Sequence, residues 1–390
     1  MLNADLLNGY NPTVHPGLNY SEQLLNINVD FSLRKIQTFD ELTSTFTIIG
    51  VLYVAWFDER LHWTPSSYNN LMVTHFKQKE IWTPPFLLAN SHDDIAFIGN
   101  DELHISVTYT GKVRWDIPVK FMSLCDADVT YYPSEKQSCG LTLLPWGYSS
   151  NLVQLNTTGS TLDTAKYEEN SIWTLVSTYQ QSNQSPNPGF LMTVTFKRKP
   201  MFFVMNFILP TIFMCFINLF VFALPAESGE RIGFSITVLL AIAVFLSIVS
   251  SNLPQSSSPQ IALLCYLLVV HIILSLMMMV CVILGLQFYF RSDEEQVPGY
   301  ISKLTRIINN KTCGNLKTSD VSPEPQITDS VMTKAGPNVV EVVNDDFVSP
   351  TDDVVTWKHV CNAFDKVCFA VFMVTAIVCN VTFLVVIFGS

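Results

Sequence analysis

The chain has 390 residues, 49% of them hydrophobic and only 14% charged, whereas ordinary soluble domains are about a quarter charged, so a purely soluble protein is excluded. The formal net charge of −11 lies outside the most apolar stretches: residues 1–200 carry 19 acidic and 13 basic side chains, residues 291–356 carry 11 and 6, and the rest balances at 3 and 3. No basic surface suited to nucleic acid follows, and no nucleic-acid partner is expected.

Residues 1–200 read mostly as strand. Leu2 to Gly9 is a short helix candidate, ended by the glycine and by Asn11-Pro12. Apolar and polar residues alternate over Leu25-Asn26-Ile27-Asn28-Val29-Asp30-Phe31 and again over Leu103-His104-Ile105-Ser106-Val107-Thr108-Tyr109, with Thr110-Gly111-Lys112 as a turn signal. Many short strands with six tryptophans predict an all-β, immunoglobulin-like sandwich over residues 1–200. A tryptophan in such a domain is read first as core. Met1 begins no apolar run, so the signal peptide of an exported domain is expected to have been removed. Cys125 and Cys139 alone precede the first apolar block, and in an exported region such a pair is expected to form a disulfide. Asn19, Asn156 and Asn183 head Asn-X-Ser/Thr sequons and are candidate glycosylation sites.

Four apolar blocks follow, at about 201–224, 231–251, 260–290 and 367–388. A bilayer core of ~30 Å takes ~20 helical residues, so each block is long enough to span; the alternative is a set of buried helices in a soluble core. Arg291, Lys303, Arg306, Lys311 and Lys317 favour a cytoplasmic 291–356 loop. Lys197, Arg198 and Lys199 argue the other way. The disulfide decides between them, because four spans then leave both termini extracellular and the long loop inside. Residues 312–350 are polar, proline-containing and aperiodic, and the 291–356 loop is expected to be largely disordered. Residues 357–390 are expected to hold a short helix before the last span and the span itself.

The second block carries the chemistry. On a helix, Gly233, Thr237, Leu240, Val244, Ser247 and Ser251 share one face that is small or hydroxylated at both ends. Lipid rewards no hydroxyl stripe, whereas a water-filled path does. The alternative is a stripe packed on neighbouring helices through small residues. Glu227 and Glu230 precede the stripe, and Arg231 follows them.

Cys125-Asp-Ala-Asp128-Val-Thr-Tyr-Tyr132-Pro133-Ser-Glu135-Lys-Gln137-Ser-Cys139, with thirteen residues between the cysteines, resembles the signature loop of the Cys-loop pentameric ligand-gated ion channels, although Ser134-Glu135 replaces the usual Phe-Asp. The resemblance extends over nearly the whole chain: Tyr10-Asn11-Pro12, Trp56-Phe-Asp58, Trp63, Ile81-Trp82-Thr-Pro84, Trp146-Gly-Tyr148, Gly229-Glu230-Arg231-Ile232, and Trp357-Lys358 with Phe364-Asp365-Lys366 before the last span. The nicotinic, cation-conducting branch is the nearest, in an invertebrate-type form without the vicinal cysteine pair.

The resemblance implies a multi-pass plasma-membrane protein, of a branch that serves transmitters at postsynaptic sites, with four further identical or homologous subunits around it. Its partners would be a small extracellular ligand, permeant cations and membrane lipid, with no cofactor and no metal. The 231–251 helix would line the pore, with rings of Glu230 at the cytoplasmic mouth and of Leu240 and Val244 near mid-membrane. Carboxylate rings concentrate cations, and apolar rings gate by dewetting. Glu230 also suits the positive end of its helix, irrespective of a pore. Tyr132, Pro133, Arg198 and Pro254 would couple binding to gating, with Glu135 or another acid as partner of Arg198. Trp146 would be the principal-face and Trp56 the complementary-face tryptophan of a cation-binding aromatic box. Tyr179 would begin the capping loop, and Arg114 and Asp116 would face the box from the complementary side. Ala89 replaces an expected tyrosine and Asn187 another, so a conventional high-affinity acetylcholine site is not expected. Two other functions fit less well: a non-binding or complementary subunit that needs a partner, and a membrane-anchored β-sandwich adhesion or sugar-binding protein. No hydrolase or phosphate-binding motif points to an enzyme.

Overall fold

The computed structural model describes residues 2–17, 24–184, 187–253, 261–292, 295–312 and 355–389. Asn19, Pro254 and almost all of 312–350 lie outside the described residues. A short helix, α1 (Leu2–Leu7), precedes ten strands: β1 (Leu25–Asp40), β2 (Thr45–His62), β3 (Val73–Lys77), β4 (Phe86–Leu88), β5 (His104–Thr108), β6 (Thr110–Leu124), β7 (Lys136–Pro145), β8 (Val153–Asn156), β9 (Trp173–Asn183) and β10 (Gly189–Arg198). Five helices follow: α2 (Met201–Phe222), α3 (Arg231–Ser251), α4 (Leu263–Tyr289), α5 (Gly299–Thr312) and α6 (Trp357–Gly389).

The strands form a six-stranded sheet in the order β3-β5-β6-β2-β1-β8 and a four-stranded sheet in the order β4-β7-β10-β9. The first half of β1 buries one face, which is why alternation is visible there: Leu25, Ile27, Val29 and Phe31 point inward while Asn26 and Asn28 point out. Phe46 of β2 stacks on Phe196 of β10 at 5.0 Å, and Trp173 meets Phe196 edge-on at 4.9 Å, closing the core between the sheets. Gly50 is required in β2, since a Cβ there would stand 2.2 Å from the Phe31 ring. Tyr10 and Asp58, two residues of the family-like motifs, form one network with Arg60: Tyr10 donates to Asp58 at 2.8 Å, Arg60 grips both Asp58 oxygens, and the Trp82 N–H donates to Tyr10 at 3.0 Å. The motifs thus fasten the N-terminal segment to the sandwich.

Four helices, α2, α3, α4 and α6, are long and apolar enough to cross a membrane. Pro210 lies inside α2 and offers no N–H to the carbonyl four residues back; the preceding Val204–Ile208 segment widens to a π-helix, and the Thr211 hydroxyl donates to the Phe207 carbonyl at 2.7 Å. The short α5 falls where a loop was read. Its Tyr300, Leu304 and Ile307 follow helical spacing and are exposed, beside Lys303.

By internal packing the chain divides into two units, Met1–Ile212 with Ala243–Val270 and Asn380–Ser390, and Phe213–Ile242 with His271–Cys379. The first holds the sandwich. The second has its own apolar core, in which Cys215, Leu219 and Phe222 of α2, Met278 and Val282 of α4, and Cys368 and Ala376 of α6 meet.

Candidate functional site

Along α3, all six residues of the stripe, Gly233, Thr237, Leu240, Val244, Ser247 and Ser251, are exposed on the protomer, while Arg231, Ser235, Val238, Ile242 and Val249 are buried. Leu240 is 65% exposed, a large apolar surface that nothing among the described residues covers. The Thr237 hydroxyl donates to the Gly233 carbonyl at 2.8 Å, which leaves its lone pairs directed outward. Glu230 is exposed at the start of this face, and Gly233 leaves the space beside its carboxylate open. Arg231 turns the other way: its guanidinium reaches Asp365 of α6 at 2.9 Å and the Leu224 carbonyl at 2.7 Å. Glu227 accepts a hydrogen bond from Tyr289 and is tied to α4 rather than free.

In the first unit, Cys125 and Cys139 are joined with a Cα–Cα distance of 5.5 Å. The loop between them meets helical residues: the Leu263 N–H donates to the Thr130 carbonyl at 3.0 Å, and the Tyr132 ring, followed by a cis bond to Pro133, packs on Phe203 at 5.2 Å. Arg198 ends β10 almost wholly buried, donating to Glu135 at 2.5 Å and to Glu41. Its guanidinium lies 4.2 Å from the Trp173 ring centre and 5.2 Å from that of Tyr132. Burial, with a smaller push from the nearby Asp128 charge, raises the Glu135 carboxyl, and burial lowers the Arg198 guanidinium. We hold the cluster to be ionised, since two carboxylates in contact with one guanidinium oppose both shifts.

Trp146, 60% exposed, lines a cavity of about 450 Å³ with Leu144, Tyr148 and Asn187. A second cavity of about 410 Å³ shares Leu144 and Asn187 and is bordered by Gln181, which accepts from the Tyr179 hydroxyl at 2.7 Å. Trp146 and the Asn187 position therefore come together, whereas Ala89 is exposed and Tyr179 is half-exposed, neither lining the first cavity. Trp56 corrects the sequence expectation. It falls in the inward register of β2 with Leu52, Val54 and Asp58, is 3% exposed and meets Trp82 edge-on at 5.7 Å, so its ring belongs to the core and not to a ligand wall. Tyr53, Arg114 and Asp116 occupy the outward face of β2 and β6; Arg114 spans both Asp116 oxygens at 2.9 and 3.1 Å and lies 5.5 Å from the Tyr53 ring. The two charges are thus paired to each other. Asn156 is half-exposed and donates to Asn26 at 3.2 Å, and Asn183 borders the second cavity.

Sequence reasoning missed Asp365 as partner of Arg231 and Glu41 as partner of Arg198. A signal for the former existed, since both belong to the six charged side chains outside residues 1–200 and 291–356, and charges within spans are expected to pair.

Residues 1–200 match the neurotransmitter-gated ion-channel ligand binding domain, and residues 207–334 match the neurotransmitter-gated ion-channel transmembrane region. Acetylcholine receptor subunit beta-type lev-1 of Caenorhabditis elegans is 31% identical over 308 residues, covering 78% of this chain and 60% of the relative. Its compatriot beta-type unc-29 is 30% identical, covering 74% and 58%. Acetylcholine receptor subunit alpha-1-B of Xenopus laevis is 26% identical over 417 residues, covering 96% and 90%. The chain spans about three fifths of the length of the two nematode relatives it matches. With a β-sandwich matched by the binding-domain model and apolar helices matched by the membrane model, in that chain order, the protein belongs to the neurotransmitter-gated ion-channel family.

Proposed function

We propose that the chain is one subunit of a pentameric, cation-selective channel of the plasma membrane, opened by a small extracellular ligand. Residues 1–200 and both termini would then be extracellular and the 291–356 loop cytoplasmic. The observation that carries the reading is the division of charge at the start of α3: Glu230 is exposed on the same uncovered helix face as Thr237, Leu240 and Val244, while Arg231 is buried. Five copies make a ring of carboxylates. At an effective dielectric near 20, a unit charge pair at 4 Å interacts by ~4 kcal/mol, so even a partly screened ring favours cations over anions. Membrane lipid surrounds α2, α4 and α6 and borders the exposed apolar edge of α5. Glu230→Gln is expected to lower cation selectivity and conductance, read as a shifted reversal potential in asymmetric sodium chloride. Unchanged selectivity would place the discrimination elsewhere.

A second reading, a complementary subunit that binds ligand only beside another chain, is supported by Asn187, which lines the Trp146 cavity where a ring is expected. Expression alone in oocytes with a panel of transmitters separates the two. Acetylcholine is expected to be weak or inactive in either case.

A further inference from the structure

Glu230 and Arg231 are neighbours in sequence, and a helix turns about 100° per residue, which is too little to keep a long, flexible guanidinium away from the water that a neighbouring carboxylate faces. Arginine side chains near helix ends extend toward water when they are free to do so. Here Arg231 is 4% exposed and Asp365 6% exposed, and they meet at 2.9 Å. Arg231 also donates to the Leu224 carbonyl just past the C-terminal end of α2, the negative pole of that helix. The Cys361 thiol, one turn before Asp365 on α6, points to the same carboxylate at 3.8 Å. The guanidinium is therefore neutralised inside the protomer, by a residue of the last helix in the chain. Among the described residues nothing comparable holds Glu230, and no side chain at Gly233 fills the space beside it.

We infer that Asp365 is a positioning residue for ion selectivity: it retains Arg231 inside the subunit, so that the field at the pore mouth is that of Glu230 alone. The inference rests on the proposed role of α3 as the pore helix. Were Arg231 released, each carboxylate of the ring would gain a cation beside it, and the ring would approach neutrality. A merely structural role for the pair, docking α6 onto α3, predicts loss of surface protein but no change in what the surviving channels conduct.

The test uses Asp365→Asn, which keeps shape and removes charge, beside Asp365→Glu, the double variant Arg231→Gln with Asp365→Asn, and Glu230→Gln. Each is expressed alone in oocytes or, where the chain needs one, with a constant nicotinic partner subunit. Single-channel conductance and reversal potential in asymmetric sodium chloride are the readouts. D365N channels at the surface are expected to conduct about twofold less or lower, with the reversal potential moved toward that of chloride. D365E and the double variant are expected to match the wild type. D365N channels with wild-type conductance and selectivity would overturn the inference. If D365N fails to reach the surface, the double variant still decides, because it leaves no buried charge unpaired: higher conductance or cation selectivity than wild type would mean that Arg231 already faced the pore. A change in E230Q without one in D365N defeats this inference alone, whereas no change in E230Q removes the pore reading beneath it.

Discussion

Trp56 and Trp146 looked alike in sequence and are opposites in the fold. Trp56→Ala removes a buried indole and leaves a cavity against Trp82, a loss of about 3–5 kcal/mol, so the amount of receptor at the surface should fall sharply. Trp146→Ala should leave that amount intact and weaken an effective cationic ligand by ~1 kcal/mol or more. Surface labelling with a dose–response curve checks both, and a W56A receptor at wild-type abundance would contradict the core assignment. Asp163 makes a second prediction at this scale. Its carboxyl accepts from the Ala165 N–H at 3.0 Å and the Ser32 hydroxyl at 2.7 Å, which hold it below its ordinary value of 3.8. A carboxylate with a depressed folded value stabilises above the unfolded value, and that contribution is lost as pH falls through the folded one. The protection factor of the Leu33 amide, whose N–H donates to the Asp163 carbonyl, is therefore expected to fall below about pH 4, and Asp163→Asn to flatten that dependence. Equal pH dependence in both proteins would refute it. What the sequence could not reveal at this scale was inward against outward register: Trp56 sits in a long run of apolar residues in β2, where the alternation that marks β1 is blurred.

Among elements, the strands and spans were legible because burial imposes a period. The first half of β1 buries one face, and each span is uniformly apolar. The stripe on α3 was legible for the complementary reason, a hydroxyl pattern with no use in lipid. If Leu240 forms a dewetting ring, Leu240→Ser should ease wetting of the closed pore and give a standing leak without ligand; a silent, surface-expressed L240S channel would count against a gate there. One element escaped. The helix α5 has polar and apolar residues in nearly equal measure and leaves its apolar edge uncovered, so no core recorded it in the sequence pattern. The helix α6 begins at Trp357, well before the apolar run, because Trp357 anchors it from outside: its indole N–H donates to the Glu295 carbonyl at 2.7 Å, and the Arg291 guanidinium lies 4.5 Å from its ring. At 1.5 Å per residue, the 33 residues of α6 extend about 50 Å, beyond a ~30 Å hydrocarbon core.

For the molecule as a whole, family-like motifs in chain order identified both domains, yet the contacts that join distant segments were invisible. Arg198 meets Glu41 across 157 positions of sequence, and no periodicity encodes such a partner. The Arg231–Asp365 pair is of the same kind, and its separation has a consequence in time. Chains grow at about 5–20 residues per second, so Arg231 enters the membrane on the order of ten seconds before the ribosome has made Asp365. Throughout that interval Arg231 lacks the carboxylate that pairs with it in the folded subunit. Arrival of α6 conceals that cation, so the same ion pair records that this helix has been made and has docked.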